Sequence, residues 1–210
     1  MSPIFDFLFS QYAEYETHQI VLEAVAVLFG LASALFSWRN SIWVYPTGII
    51  STSIFVYLLW QWELLGDLII QGYYFIMSIY GWYIWTRKVS PDKFTPITKA
   101  SKKEHGIAVL IGVASLIGVF IVYTVFDKWT SWTAYVDTLT TAIFFGGMWM
   151  LAKRKVENWL YLLAGNIISV PLYFIKGYTL SSLLYLIFIA ISIMGYVAWK
   201  KHLYSDKVIA

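Results

Sequence analysis

Cysteine is absent from the 210-residue sequence, which excludes disulfides, thiolate nucleophiles and thiolate metal sites and leaves no clue to the redox compartment. Charge is scarce as well: Asp, Glu, Lys and Arg make up 13% of the chain, against 60% hydrophobic residues. A water-soluble domain of this length could not cover its surface with so little charge, so the solvent implied is lipid. A basic n-region is missing from residues 1–19, which carry Asp6, Glu14 and Glu16 instead. A cleaved signal peptide is therefore not expected, and the first apolar helix should persist in the mature chain. What the chain has in abundance is aromatic rings, at 20%. Many sit at the ends of apolar runs, where amphipathic rings favour the headgroup layer.

A hydrocarbon layer about 30 Å thick needs about 20 helical residues. Seven stretches meet this length: approximately Ile20–Trp38, Ile42–Trp60, Leu64–Trp85, Gly106–Phe126, Trp132–Ala152, Trp159–Ile175 and Thr179–Trp199. Pro46 and Pro171 fall inside the second and sixth and predict kinks there. Of the 15 Lys and Arg residues, all but Lys128 and Lys176 fall on one side: Arg39, the 86–105 loop, Lys153 to Lys155, and the 200–210 tail. The positive-inside rule then predicts segment 1–19 outside, with the basic loop and the tail in the cytoplasm.

The first three spans (20–85) echo the last three (132–199). Trp43-Val44-Tyr45 matches Trp159-Leu160-Tyr161, Gly48–Ser51 matches Asn166–Ser169 or, with a one-residue gap, a stretch from Gly165, and Gly81–Trp85 matches Gly195–Trp199, the last two each followed by basic residues. The pattern predicts a duplication joined by a linker helix over 106–126, whose single passage makes the two three-helix units parallel. The expected fold is an all-α polytopic membrane protein in a 3+1+3 arrangement, with a solute site at the repeat interface near the midplane.

No Lys or Arg falls within a span, but Glu23, Asp67 and Asp137 do, each about one turn below the outer surface. Snorkelling to the headgroups accounts for each acid singly. Together, with no buried base beside them, they predict a solute entrance that attracts organic cations. Asp67, Gln71, Tyr74, Ser78 and Trp82 recur at helical spacing and share a face, as do Asn158, Leu162, Asn166, Ser169 and Tyr173, with Trp159 beside them. An amide facing lipid is costly, so Gln71 and Asn166 are expected to point inward; bonding between helices with no ligand would satisfy them equally. The candidate binding set is Gln71, Tyr74, Ser78, Asp137, Trp159, Leu162, Asn166, Ser169 and Tyr173. Rings, amides and acids suit a flat cationic solute, each ring contributing about 1–2 kcal/mol when desolvated.

Ile79–Arg87, Arg154–Trp159, Asn166–Ser169 and Lys176-Gly177 resemble the PnuC family of vitamin transporters, in order and spacing, over nearly the whole chain. The resemblance implies a full-length SWEET-like fold, a homotrimer in a bacterial inner (plasma) membrane, and facilitated diffusion followed by trapping through a cytoplasmic kinase. Trp159, Gln71 and Asn166 match the carriers of nicotinamide riboside; Leu162, Ser51, Ser78 and Met194 depart from that pattern. Thiamine is the alternative cargo of the same family, although its carriers often have Asp where this chain has Asn166. No cofactor, metal or nucleic acid is expected. His18, His105 and His202 lie in tails or loops, which argues against an enzyme within the membrane. A small-solute channel is the rival of a different class.

Overall fold

The computed structural model describes residues 15–62, 65–91, 93–127, 129 and 131–208. Residues 1–14, Leu64, Lys128 and the last two residues of the expected tail lie outside the described part. Seven helices account for most of the described residues: α1 (Thr17–Trp38), α2 (Val44–Gln61), α3 (Leu65–Thr86), α4 (Lys102–Val125), α5 (Thr133–Ala152), α6 (Asn158–Ile175) and α7 (Thr179–Val208). Four of them, α1, α4, α6 and Thr179–Leu203 of α7, are long and apolar enough to cross a membrane. In α2, α3 and α5 buried hydroxyls interrupt the apolar run, among them Thr47, Ser51, Thr52, Ser78, Thr138, Thr140 and Thr141.

The helix ends differ from the expected ones for local reasons. Ser101-x-x-Glu104 forms a capping box in which the Glu104 carboxylate accepts from the Ser101 N–H at 2.8 Å and the Ser101 hydroxyl accepts from the Glu104 N–H at 3.3 Å. That box starts α4 at Lys102, so His105 stands in its first turn instead of a loop. The rest of the 86–105 segment is not featureless: β1 (Lys88–Ser90) and β2 (Lys93–Phe94) pair antiparallel. Because α2 starts at Val44, Pro46 lies in its first turn, where an N–H would have no intrahelical partner and no ladder bond is lost. Pro171 does lie inside α6. The expected tail is a continuation of α7 through Val208.

Helices α1, α2, α3, α5, α6 and α7 each pack on the next, and α7 returns to α1, closing a ring. α4 lies outside it, chiefly against α5. Lipid gives no hydrophobic drive for helix association, so close approach and hydrogen bonds must hold the ring. Both are concentrated at one end. Tyr45, Trp85, Trp159 and Trp199 share a buried cluster with Leu151, Val156 and Ile191. The Tyr45 ring lies on Gly81 and the Trp159 ring on Gly195; a Cβ at either glycine would stand 2.4 Å from a ring carbon. Trp85 meets Tyr45 edge-on at 5.1 Å, as Trp199 meets Trp159 at 5.6 Å.

Two bonds tie the arms of the ring together reciprocally. The Trp85 indole N–H donates to the Leu151 carbonyl at 3.3 Å, and that of Trp199 to the Ser37 carbonyl at 3.0 Å. These contacts obey one separation of 114 residues: 37 and 151, 45 and 159, 81 and 195, 85 and 199. Gly30 against Ser51 and Phe144 against Gly165 follow it too. The sequence match of Trp43 with Trp159 is thereby corrected: Tyr45 occupies the position equivalent to Trp159, and Thr52 that of Asn166.

Asn40 and Arg154, another pair at this separation, both turn the chain with positive φ, 54° and 58°. The Asn40 side-chain oxygen accepts from Arg154 Nε at 3.1 Å and from its Nη2 at 2.7 Å. The guanidinium also donates to the Thr95 carbonyl and stacks 4.4 Å from the Trp85 ring centre. Burial pushes its pKa below the ordinary arginine value. Thr98 bridges to Lys155, whose ammonium reaches Glu104 at 2.8 Å, so the basic loop is fastened to the turn between α5 and α6.

Candidate solute pathway

Inside the ring the polar side chains predicted on α6 converge with α7. Asn166 is 5% exposed and Ser169 fully buried. The Asn166 amide donates to the Ser192 hydroxyl at 3.2 Å, and the Ser192 hydroxyl in turn donates to the Phe188 carbonyl at 2.7 Å. Tyr173 and Tyr185 pack one turn further along with their rings 4.9 Å apart, and the Ser169 hydroxyl is buried without a hydrogen-bond partner among the described residues.

The opposite wall comes from α3 and α5. Tyr73 stacks on Phe145 at 3.8 Å and donates to its carbonyl at 2.8 Å, with Tyr74 beside them. Gln71 is half-buried on α3, and Ser78 is buried with its hydroxyl on the Tyr74 carbonyl at 2.8 Å. Trp82 does not join this face; it is 41% exposed and points to the surround.

Two predicted residues sit lower. Trp159, 2% exposed, packs on Gly195 and Trp199 in the end cluster, its indole N–H buried without a partner. Leu162 packs on that cluster and against Gly147. Both therefore floor the interior, below Asn166, instead of sharing its level.

The acids gather at the other end. Asp137 lies in the second turn of α5, Asp67 in the first turn of α3, and half-buried Glu23 in the second turn of α1. The expectation that they have no base beside them is overturned. The Lys176 ammonium, at the C-terminal cap of α6, lies 2.6 Å from Asp137 Oδ2, and Asp67 is close enough to feel both charges.

Tyr73, Phe144, Phe145, Tyr185, Ser192 and Lys176 were not foreseen. The α7 stripe of Tyr185, Phe188 and Ser192 carries the same three- and four-residue spacing that marked α3 and α6. An apolar groove of about 410 Å³ lined by Leu116, Ile117, Phe120, Trp129, Tyr135 and Leu139 lies on the outside between α4 and α5, away from these polar groups.

The arrangement can hold a flat solute between tyrosine rings, read its polar edge with an amide and hydroxyls, and meet it with carboxylates at the mouth. Comparison with known proteins bears on what it is for. The family model described as "Nicotinamide mononucleotide transporter" matches residues 20–201. The riboflavin/roseoflavin transporter RibM of Streptomyces davaonensis is 24% identical over 187 residues, covering 88% of this chain and 87% of its own. The nicotinamide riboside transporter PnuC of Escherichia coli is 25% identical over 205 residues, covering 85% and 84%. A crystal structure of the Vitamin B3 transporter PnuC shares the fold, with a TM-score of 0.67 at 19% identity over 97% of this chain and 91% of that one. The chain belongs to the PnuC family of membrane transporters.

Proposed function

We propose that the protein is a facilitative importer of nicotinamide riboside, working in a bacterial inner membrane. The observation that carries this reading is the Asn166–Ser192 pair set among Tyr74, Tyr173 and Tyr185, beneath a mouth that holds Asp67 and Asp137. Rings stack on the pyridinium and attract its charge; the amide and hydroxyls answer the ribose hydroxyls, which would otherwise lose their water. The relatives named for nicotinamide riboside support the cargo, and the recurrence of contacts at 114 residues supports a 3+1+3 arrangement in which the solute crosses between two parallel units. The charge asymmetry supports the Arg154 end as cytoplasmic. The carboxylates within the spans, Glu23, Asp67 and Asp137, all lie near one end of their helices, which supports movement down a gradient, with kinase trapping inside the cell. A homotrimer is the assembly that the family resemblance implies.

RibM favours a second reading, riboflavin, whose ring system is uncharged; thiamine completes the set to be compared. Proteoliposomes holding the purified protein should equilibrate labelled nicotinamide riboside without an imposed ion gradient and prefer it to thiamine and riboflavin. Asn166→Ala should weaken its binding about tenfold, the loss expected when a buried polar contact disappears. Uptake above equilibrium that needs protons or sodium would sink the passive mechanism. An unchanged affinity in Asn166→Ala would sink the site.

A further inference from the structure

The mouth already holds a cation. Residues after α6 turn sharply at Gly177, φ 84°, with the Tyr178 N–H returning to the Tyr173 carbonyl at 2.9 Å. That turn sets two rings beside the Lys176 stem. The ammonium lies 5.0 Å from the Tyr173 ring centre and 5.8 Å from that of Tyr178, while Asp137 Oδ2 is 2.6 Å away. The side chains of the pair keep only 26% and 18% of their exposure. A carboxylate with flanking aromatic faces is what an organic cation needs from a binding site. Tyr173 belongs to both environments, since its ring also faces Tyr185 in the interior.

A lysine at a helix end ordinarily extends its ammonium outward, to headgroups or water, and needs no ring beneath it. A C-terminal cation is also favoured by the helix dipole alone. Neither reason brings Lys176 back over Tyr173 and onto the second turn of another helix. Two cations cannot share the space in front of one carboxylate without strong repulsion.

We infer that Lys176 is a tethered stand-in for the solute's positive charge: it holds the Asp137 and Tyr173 position until a cationic solute displaces it, and so sets charge selectivity. This rests on the reading of the ring interior as the solute path. The sequence of events is displacement of the ammonium, passage of the solute cation past Asp137, and return of Lys176 behind it.

The test compares nicotinamide riboside with its uncharged dihydropyridine form, by calorimetric titration of the purified protein. In Lys176→Met the preference for the cation over the neutral form should rise about tenfold or more. In Asp137→Asn it should fall, and in the double variant the gain from Lys176→Met should vanish. A preference in Lys176→Met that is unchanged, or shifted toward the neutral form, overturns the inference. Variants are scored only when they elute and melt as the parent does, with Lys176→Gln as the second substitution. If the parent binds riboflavin but no vitamin cation, the nicotinamide riboside reading fails. The Lys176 inference then stands if Lys176→Met acquires binding of the cation, and falls if it does not.

Discussion

Tyr45, Gly81 and Trp85 in one arm of the ring make the contacts that Trp159, Gly195 and Trp199 make in the other. Further inside, the equivalence stops. The Thr52 hydroxyl bonds back to the Gly48 carbonyl of its own helix at 2.8 Å, whereas Asn166, at the equivalent position, reaches across to Ser192 on α7. Gln71 stands where the other arm has Tyr185, and Glu23 where it has Asp137. Contacts that hold the helices together are thus repeated, while the groups facing the interior have diverged. A solute with a ring at one end and a polar group at the other has no twofold symmetry, and an asymmetric lining suits it.

If the repeated contacts carry equal loads, matched substitutions should have matched effects. The largest is expected at the glycines. Alanine normally favours a helix over glycine by about 1 kcal/mol, but here its Cβ would stand 2.4 Å from Tyr45 or Trp159. Rings locked in the cluster cannot withdraw, so overpacking should win and each of Gly81→Ala and Gly195→Ala should lose about 2–3 kcal/mol. Thermal melting in detergent would measure this. A loss confined to Gly195→Ala would show that only the second arm is closely packed.

Next comes the turn where the equivalence is broken by chemistry. Arg154 bonds Asn40 through two nitrogens and covers Trp85. Arg154→Ala removes these interactions and should lower stability by about 2 kcal/mol. Arg154→Lys should recover little, because an ammonium cannot reproduce the planar fork. Full recovery by lysine would mean that charge alone matters at this end. The measurement is the same melting curve, with limited proteolysis of the 88–101 segment reporting release of the loop.

Length and hydrophobicity alone mark four of the helices, α1, α4, α6 and α7; α2, α3 and α5, whose apolar runs are interrupted by buried hydroxyls, were legible from the charged and turn residues that bound them. The duplication was legible in its motifs but not in its register. Trp43 was matched to Trp159 because both are tryptophan, whereas the physical requirement is a ring lying on a glycine 36 residues further on, met by Tyr45 with Gly81 and by Trp159 with Gly195. The α3 and α6 stripes held several interior residues. Ser192 and Tyr185 escaped because they are embedded in a long apolar run. Lys176 escaped for a different reason. Counted as a loop base on the outer side, it shows its role only when the end of α6 is brought against Asp137, 39 residues earlier.

The smallest effect gives the finest comparison. Trp85 and Trp199 donate to Leu151 and Ser37 across the arms, at 3.3 and 3.0 Å. Phenylalanine at either position keeps an aromatic ring in the cluster but removes the donor, leaving a buried carbonyl without that bond. The expected loss is about 1 kcal/mol for each substitution. Because the two bonds join the same pair of arms, the double variant should lose less than the sum if the bonds cooperate, since either single variant already forfeits the shared part, and the sum if each acts alone. Transport separates the possibilities further. Should Trp85→Phe and Trp199→Phe accelerate equilibration while melting barely changes, the crossed indoles would be parts of a gate that opens between the arms; unaltered transport would leave them as fasteners.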